Sequence, residues 1–144
     1  MRTDCEIAMP TENNYMKKIL LVEDDESLRN MFSDVLMRAG YSVDPAKHGL
    51  DALQKLDLSQ YDLVFTDLNM PVVGGIDLYL NSIQKYPQMK GRFLFMSGQF
   101  PLEVLENRSV IVKKFIVKPF WSKDLVACVN LIFSETTVER GRGG

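Results

Sequence analysis

From position 17 onward the chain alternates short apolar runs with amphipathic stretches. Residues 19–22, 42–46, 63–66, 93–96 and 115–117 are strand-sized, and the segments between them place apolar residues at helical spacing. The five runs are too short for helices and lack strict polar alternation, the pattern of a parallel sheet buried on both faces. Helices must then cover both sides, so the predicted architecture is a doubly wound α/β fold with a five-stranded parallel sheet. In the first helix Leu28, Phe32, Val35, Leu36 and Ala39 form the core stripe and Gly40 is the stop. Further helical stretches are predicted over 76–86, 102–107 and 122–133. In the last of these Leu125, Val129 and Ile132 form the stripe, with Lys123 and Asn130 on the wet side. The two ends differ from the rest. Residues 1–16 and 135–144 are polar, and the second stretch holds three glycines, so loose tails are expected around one domain over 17–134.

Composition narrows the class. A length of 144 residues suits one domain and leaves no room in the chain for a separate output domain. With 46% apolar and 25% charged residues it is a globular composition. The longest apolar run, residues 125–129, is far below the roughly 18 residues of a membrane-spanning helix. The first residues carry acids and no apolar stretch of signal-peptide length, so cytoplasm is the default compartment. Cys5 and Cys128 accordingly read as reduced thiols. A net charge of -2, from 17 basic and 19 acidic side chains without a basic stripe, disfavours nucleic acid. The eight methionines are expected mostly as core filler.

The candidate chemistry lies at the strand ends, because ligands of open parallel sheets bind outside the carboxyl ends of the strands. The first strand runs into Glu23, Asp24, Asp25 and Glu26, the third ends at Asp67, the fourth at Ser97, and the fifth at Lys118 before Pro119. Carboxylates, a hydroxyl and an amine at one rim are an inventory for a hard divalent cation and a phosphoryl group, and carboxylate oxygens hold Mg²⁺. Several carboxylates close together repel one another, which favours binding a cation. Beside Mg²⁺ a carboxylate such as Asp67 can act as nucleophile toward phosphorus. Lys118 supplies a mobile point charge. Ser97 supplies a hydroxyl whose partner arrives only with the phosphoryl group, giving the following loop two arrangements. Taken singly, Asp25 or Asp67 reads equally well as a helix cap; the set is what points to chemistry. His48, the only histidine, reads as solvated at the start of the second helix, and Lys113 and Lys114 as a solvated approach to the fifth strand.

Four segments in order, ILLVEDDESLR, DLVFTDLNMP followed by Gly75, FLFMSG and FIVKPF, resemble the receiver domain of two-component response regulators over about residues 17–133. The resemblance implies a flavodoxin-like (CheY-like) strand order 2-1-3-4-5. By position it implies that Asp67 is the phosphoacceptor and that Glu23 and Asp24 are the acidic pair of a Mg²⁺ site. Asp24 is the direct ligand there, Asp25 the runner-up, and the backbone carbonyl of Asn69 completes the protein's share of the metal shell. Ser97 resembles the switch hydroxyl, Lys118 the lysine whose bond to Pro119 is usually cis, and Arg29 the basic residue of the first helix.

Departures from the pattern are Phe115, at a switch position that often holds tyrosine, and Trp121, where a capping residue is frequent, so that Ser122 is expected to cap one residue later. Gly74, where an acid is common, suggests a looser loop after Pro71. Met31 and Met37 are expected on the solvent side of the first helix, a docking surface in the family. The implied function is a single-domain switch that takes a phosphoryl group from the phosphohistidine of a histidine kinase or phosphotransfer protein. It would then present a surface to a downstream protein target or to a second copy as a homodimer, turning over no other substrate. The alternatives are a receiver domain excised from a hybrid histidine kinase, an aspartyl-phosphate phosphatase of the haloacid dehalogenase type, and a flavin-binding module. The phosphatase needs a second aspartate where this chain has Asn69. The flavin module needs a phosphate cradle where this chain has four consecutive acids.

Overall fold

The computed structural model describes residues 16–98 and 114–143, the side chains of 135–143 excepted. Strands β1 (Lys18–Val22), β2 (Ser42–Ala46), β3 (Leu63–Asp67), β4 (Phe93–Ser97) and β5 (Phe115–Val117) form one five-stranded sheet in the order β2-β1-β3-β4-β5. Every pairing is parallel. The helices are α1 (Glu26–Arg38), α2 (Gly49–Leu58), α3 (Gly75–Lys85) and α4 (Ser122–Gly143), with a 3₁₀ turn over Pro87–Gly91. Among the described residues no helix is long and apolar enough to cross a membrane. The short helix expected over 102–107, Lys113 and the tail with Cys5 lie outside the described residues.

The pleat divides the apolar runs between two cores. Ile19, Leu21, Leu63, Phe65, Leu94 and Met96 point to the face covered by Phe32 and Leu36 of α1 and by Leu125, Val129 and Ile132 of α4. Leu20, Val22, Val64, Phe93 and Phe95 point to the other, covered by Ala52 and Leu56 of α2 and Leu78 and Tyr79 of α3. Each such side chain contributes about 1.5–3 kcal/mol relative to leaving it in water. This is why the central strands read as unbroken apolar runs. β2 is an edge strand, only partly buried, and there Pro45 removes no ladder hydrogen bond that the sheet needs.

Local chemistry sets the helix ends. Asp25 caps α1 by accepting the Leu28 N–H. At its far end Gly40 has φ 101°, a conformation that favours glycine, and the Gly40 and Tyr41 N–H groups donate back to the Met37 and Leu36 carbonyls. His48 is exposed but not merely solvated: its Nδ1 accepts the Asp51 N–H at 3.1 Å, while Asp51 accepts the Lys47 N–H at 2.9 Å.

Three expectations need correction. Ser122 is the first helical residue of α4, not its cap. Trp121 takes the capping place, its carbonyl accepting from Asp124 and Leu125 and its N–H donating to the Asp124 carboxylate at 3.2 Å. α4 continues past position 133 to Gly143, through residues expected in a loose tail. No proline interrupts it and glycine first returns at Gly141; helical hydrogen bonds close locally, so the apolar stripe marks only the buried part. Core filler fits only half of the six described methionines: Met89 and Met96 are buried and Met70 packs half-buried against the core, whereas Met16 is exposed and Met31 and Met37, expected on the solvent side, are 48% and 51% exposed.

The segment between β3 and α3 holds a backbone outlier. Val72 has φ 68° and is the centre of a tight turn in which the Val73 N–H donates to the Pro71 carbonyl at 2.8 Å. A β-branched residue pays sterically for that conformation, by about 1–3 kcal/mol. Val72 is 87% exposed, so its side chain gives little burial in return. Val72→Gly is therefore expected to stabilise the protein by roughly 0.5–1 kcal/mol after the entropy gained by the unfolded glycine chain is subtracted. Urea unfolding checks this, and an unchanged or lower midpoint would refute it. Gly74 has φ -77° and serves close approach: a Cβ there would lie 3.1 Å from the Leu68 carbonyl oxygen.

Candidate functional site

The sheet register assembles the rim. Val22 lies beside Thr66, so Glu23 and Asp67, the residues that follow, emerge side by side. Asp67 is level with Met96 and Ser97 with Val117, so Ser97 and Lys118 each come one step further across the sheet. Lys118 then reaches back over the strand ends. Its Nζ lies 2.8 Å from Asp67 Oδ2 and 3.4 Å from Glu23 Oε1, and its N–H donates to the Ser97 carbonyl at 2.7 Å. The Lys118–Pro119 bond is cis. The other Asp67 oxygen, Oδ1, accepts the Asn69 N–H at 3.0 Å.

These carboxylates are held where water cannot stabilise them fully. Glu23 is 1% exposed and Asp67 6% exposed, and Ser97 is buried as well. Burial pushes the Glu23 carboxyl above its ordinary range and the Asp67 charge adds to this, while the Asp25 N–H and the Lys118 ammonium oppose it. Burial alone would lower the Lys118 value, but its hydrogen bond to Asp67 and the charges of Asp67 and Glu23 outweigh that, and it titrates above the ordinary lysine range. One oxygen each from Glu23, Asp24 and Asp67 lie within 4.8 Å of one another. Three hard oxygen donors at that spacing, two of them buried, fit a small divalent cation such as Mg²⁺.

The sign of the pH dependence follows. The folded chain binds a proton at Glu23 more tightly than the unfolded chain does, so this contribution to stability is present at low pH and is lost as pH rises through the raised value. In a chelator the unfolding free energy should therefore fall as pH climbs above about 4.5, the unshifted value. Saturating Mg²⁺ should remove the fall, because a cation binds the ionised form. Denaturation series with and without Mg²⁺ test this; parallel pH profiles would refute it.

The structure gives the two neighbouring acids different surroundings. Asp25 is engaged as the α1 cap and lies outside the group of three oxygens, whereas the exposed Asp24 belongs to it. Phe115 is half-buried beside Phe95 and packs against the core under α2 and α3. Lys114 donates to the Gly91 carbonyl at 3.2 Å. Two residues that the motifs marked make contacts that the sequence did not specify. Gly75 lies so close to β3 that a Cβ would meet the Asp67 carbonyl oxygen at 2.5 Å. Arg29 Nη1 donates to the Glu23 carbonyl at 2.8 Å. The resemblance marked both positions but not the contacts they make.

Residues 19–130 match the response regulator receiver domain family. The chain belongs to that family. This receiver domain is 34% identical over 113 residues to the response regulator receiver protein CpdR of Brucella abortus, covering 77% of this chain and 92% of that one. It is 32% identical over 117 residues to the chemotaxis protein CheY of Thermotoga maritima, covering 81% and 97%. A solved structure of Vibrio cholerae chemotaxis protein CheY4 matches the receiver domain with a TM-score of 0.76 at 29% identity, over 82% of this chain and 99% of that one. The chain is thus a two-component signalling receiver domain, a family that is not one of classical metabolic enzymes, and the phosphatase and flavin readings are not favoured.

Proposed function

We propose that this receiver domain accepts a phosphoryl group on Asp67 from a phosphohistidine of a histidine kinase or phosphotransfer protein, and that the modification switches a protein-binding surface. The observation that carries the reading is the buried Asp67 carboxylate held between Lys118 at 2.8 Å and the Glu23–Asp24 pair. Glu23, Asp24, Asp67 and the backbone carbonyl of Asn69 would hold Mg²⁺. When bound, that ion supplies positive charge to offset the incoming phosphoryl oxygens.

An Asp67 carboxylate oxygen attacks phosphorus as the phosphorus–nitrogen bond of the donor breaks, and the imidazole leaves with the electron pair of that bond. The product is an acyl phosphate on Asp67. The Asn69 N–H keeps the carboxylate oriented for attack. Lys118 pairs with the free carboxylate; once that charge passes to the phosphoryl group, the ammonium follows it to a phosphoryl oxygen. Ser97 donates its hydroxyl to the same group, and the Phe115 ring adjusts with it. The altered face binds a downstream protein target or a second copy. The reaction runs in the cytoplasm, and the chain's own modification is its only chemistry.

The test is direct. Incubation with Mg²⁺ and acetyl phosphate, read by intact-mass spectrometry, should add a single phosphoryl group, and chelation of the metal should prevent it. No adduct with Mg²⁺ present would overturn the reading.

A further inference from the structure

Arg29 is half-buried on α1 and follows four consecutive acids, Glu23 to Glu26, yet among the described residues it forms no ion pair with any of them. Its guanidinium instead donates through Nη1 to the backbone carbonyl of Glu23 at 2.8 Å. That carbonyl belongs to the peptide joining Glu23 to Asp24, so holding it sets the plane from which the Asp24 side chain departs. The two neighbours of Asp24 are secured by other means. Glu23 Oε2 accepts the Asp25 N–H at 3.0 Å, and Asp25 is fixed as the cap of α1. Asp24 is exposed; the Glu23 carboxyl lies within hydrogen-bonding reach of its carboxylate, and among the described residues it is held by neither a helix cap nor an ion pair. The Glu23 and Asp24 side chains both depart from the peptide that Arg29 holds, so the approach of their oxygens to each other and to Asp67 depends on that backbone.

We infer that Arg29 is a positioning residue for the cation site, locking the Glu23–Asp24 peptide so that the Asp24 carboxylate faces Glu23 and Asp67. The inference rests on the proposed Mg²⁺ site. It makes a prediction opposite in sign to that of charge alone. A guanidinium near the rim repels a dication, so deleting it should tighten Mg²⁺ binding if charge were its only effect. Deleting a positioning contact should weaken binding, as removal of residues that orient metal ligands does by about 10–100-fold.

Isothermal titration of wild type, Arg29→Met and Arg29→Lys with MgCl₂, beside urea unfolding of each in chelator, separates the two. About tenfold or greater weakening in Arg29→Met is expected, with Arg29→Lys, which retains a long donor, closer to wild type than to Arg29→Met. Binding by Arg29→Met as tight as wild type or tighter, or Arg29→Lys as weak as Arg29→Met, would overturn the positioning role. Should Arg29→Met fail to fold in chelator, Arg29→Gln is read in its place against the same outcomes. Absence of Mg²⁺ binding by wild type would instead remove the site, and with it both the functional reading and the positioning role; a wild type that binds while Arg29→Met binds equally well removes the positioning role alone.

Discussion

Asp67→Asn is expected to take up no phosphoryl group, from acetyl phosphate or from a phosphohistidine donor, under conditions that fully modify the wild type. Asparagine keeps the shape of the side chain and an oxygen that can accept the Asn69 N–H, so the local turn should survive. The amide has no anionic oxygen to attack phosphorus, and the buried neighbour Glu23 is held by the Asp25 N–H and faces Lys118 at 3.4 Å. The same change removes one anionic donor from the group of three, so Mg²⁺ affinity should fall as well. Intact mass and calorimetry check both outcomes. An Asp67→Asn protein that still gains a phosphoryl group at the wild-type rate would place the acceptor elsewhere.

Gly75→Ala should be the most damaging conservative change near the rim. The new methyl would sit 2.5 Å from the Asp67 carbonyl oxygen and 2.9 Å from the Leu68 Cα, both backbone atoms that cannot rotate aside. The Gly75 N–H also donates to the Leu68 carbonyl at 2.9 Å, tying the two segments together at this point. Alanine is the better helix former by roughly 1 kcal/mol in a helix interior, with less to gain in the first turn. The overlap must be relieved by moving β3 or α3, at about 1–3 kcal/mol. We expect net destabilisation of about 1–3 kcal/mol, with Mg²⁺ affinity lowered because the displaced atoms carry Asp67. Urea unfolding together with Mg²⁺ titration measures both. A variant as stable as wild type would show that α3 can slide without cost.

Much of this was legible along the chain. The stripe of Phe32 and Leu36, the stop at Gly40 and the buried trio Leu125, Val129 and Ile132 are local patterns that survive into the fold. Asp67, Ser97 and Lys118 were recognisable because each follows an apolar run, where a parallel sheet exposes strand ends. The capping of α4 was misread, because the cap depends on where the chain turns into the helix after Pro119. The length of α4 was underestimated for the opposite reason: the sequence of its outer part carries no apolar stripe to read. Met31 and Met37 do lie on the solvent side of α1, but core filler fits only half of the described methionines, because an unbranched apolar side chain carries no mark of the side it occupies.

Strand number, coverage of both sheet faces and the inventory of groups at the rim were determined by the sequence alone, since burial and chain direction leave their mark residue by residue. The tertiary structure decided which of those groups meet. Lys118 joins Asp67 across 51 positions and Glu23 across 95, Asp24 takes the place that Asp25 gives up to cap a helix, and Gly75 and Arg29 acquire their neighbours only through register and close approach. Those are distances between segments remote in the chain, and no periodicity within a segment encodes them.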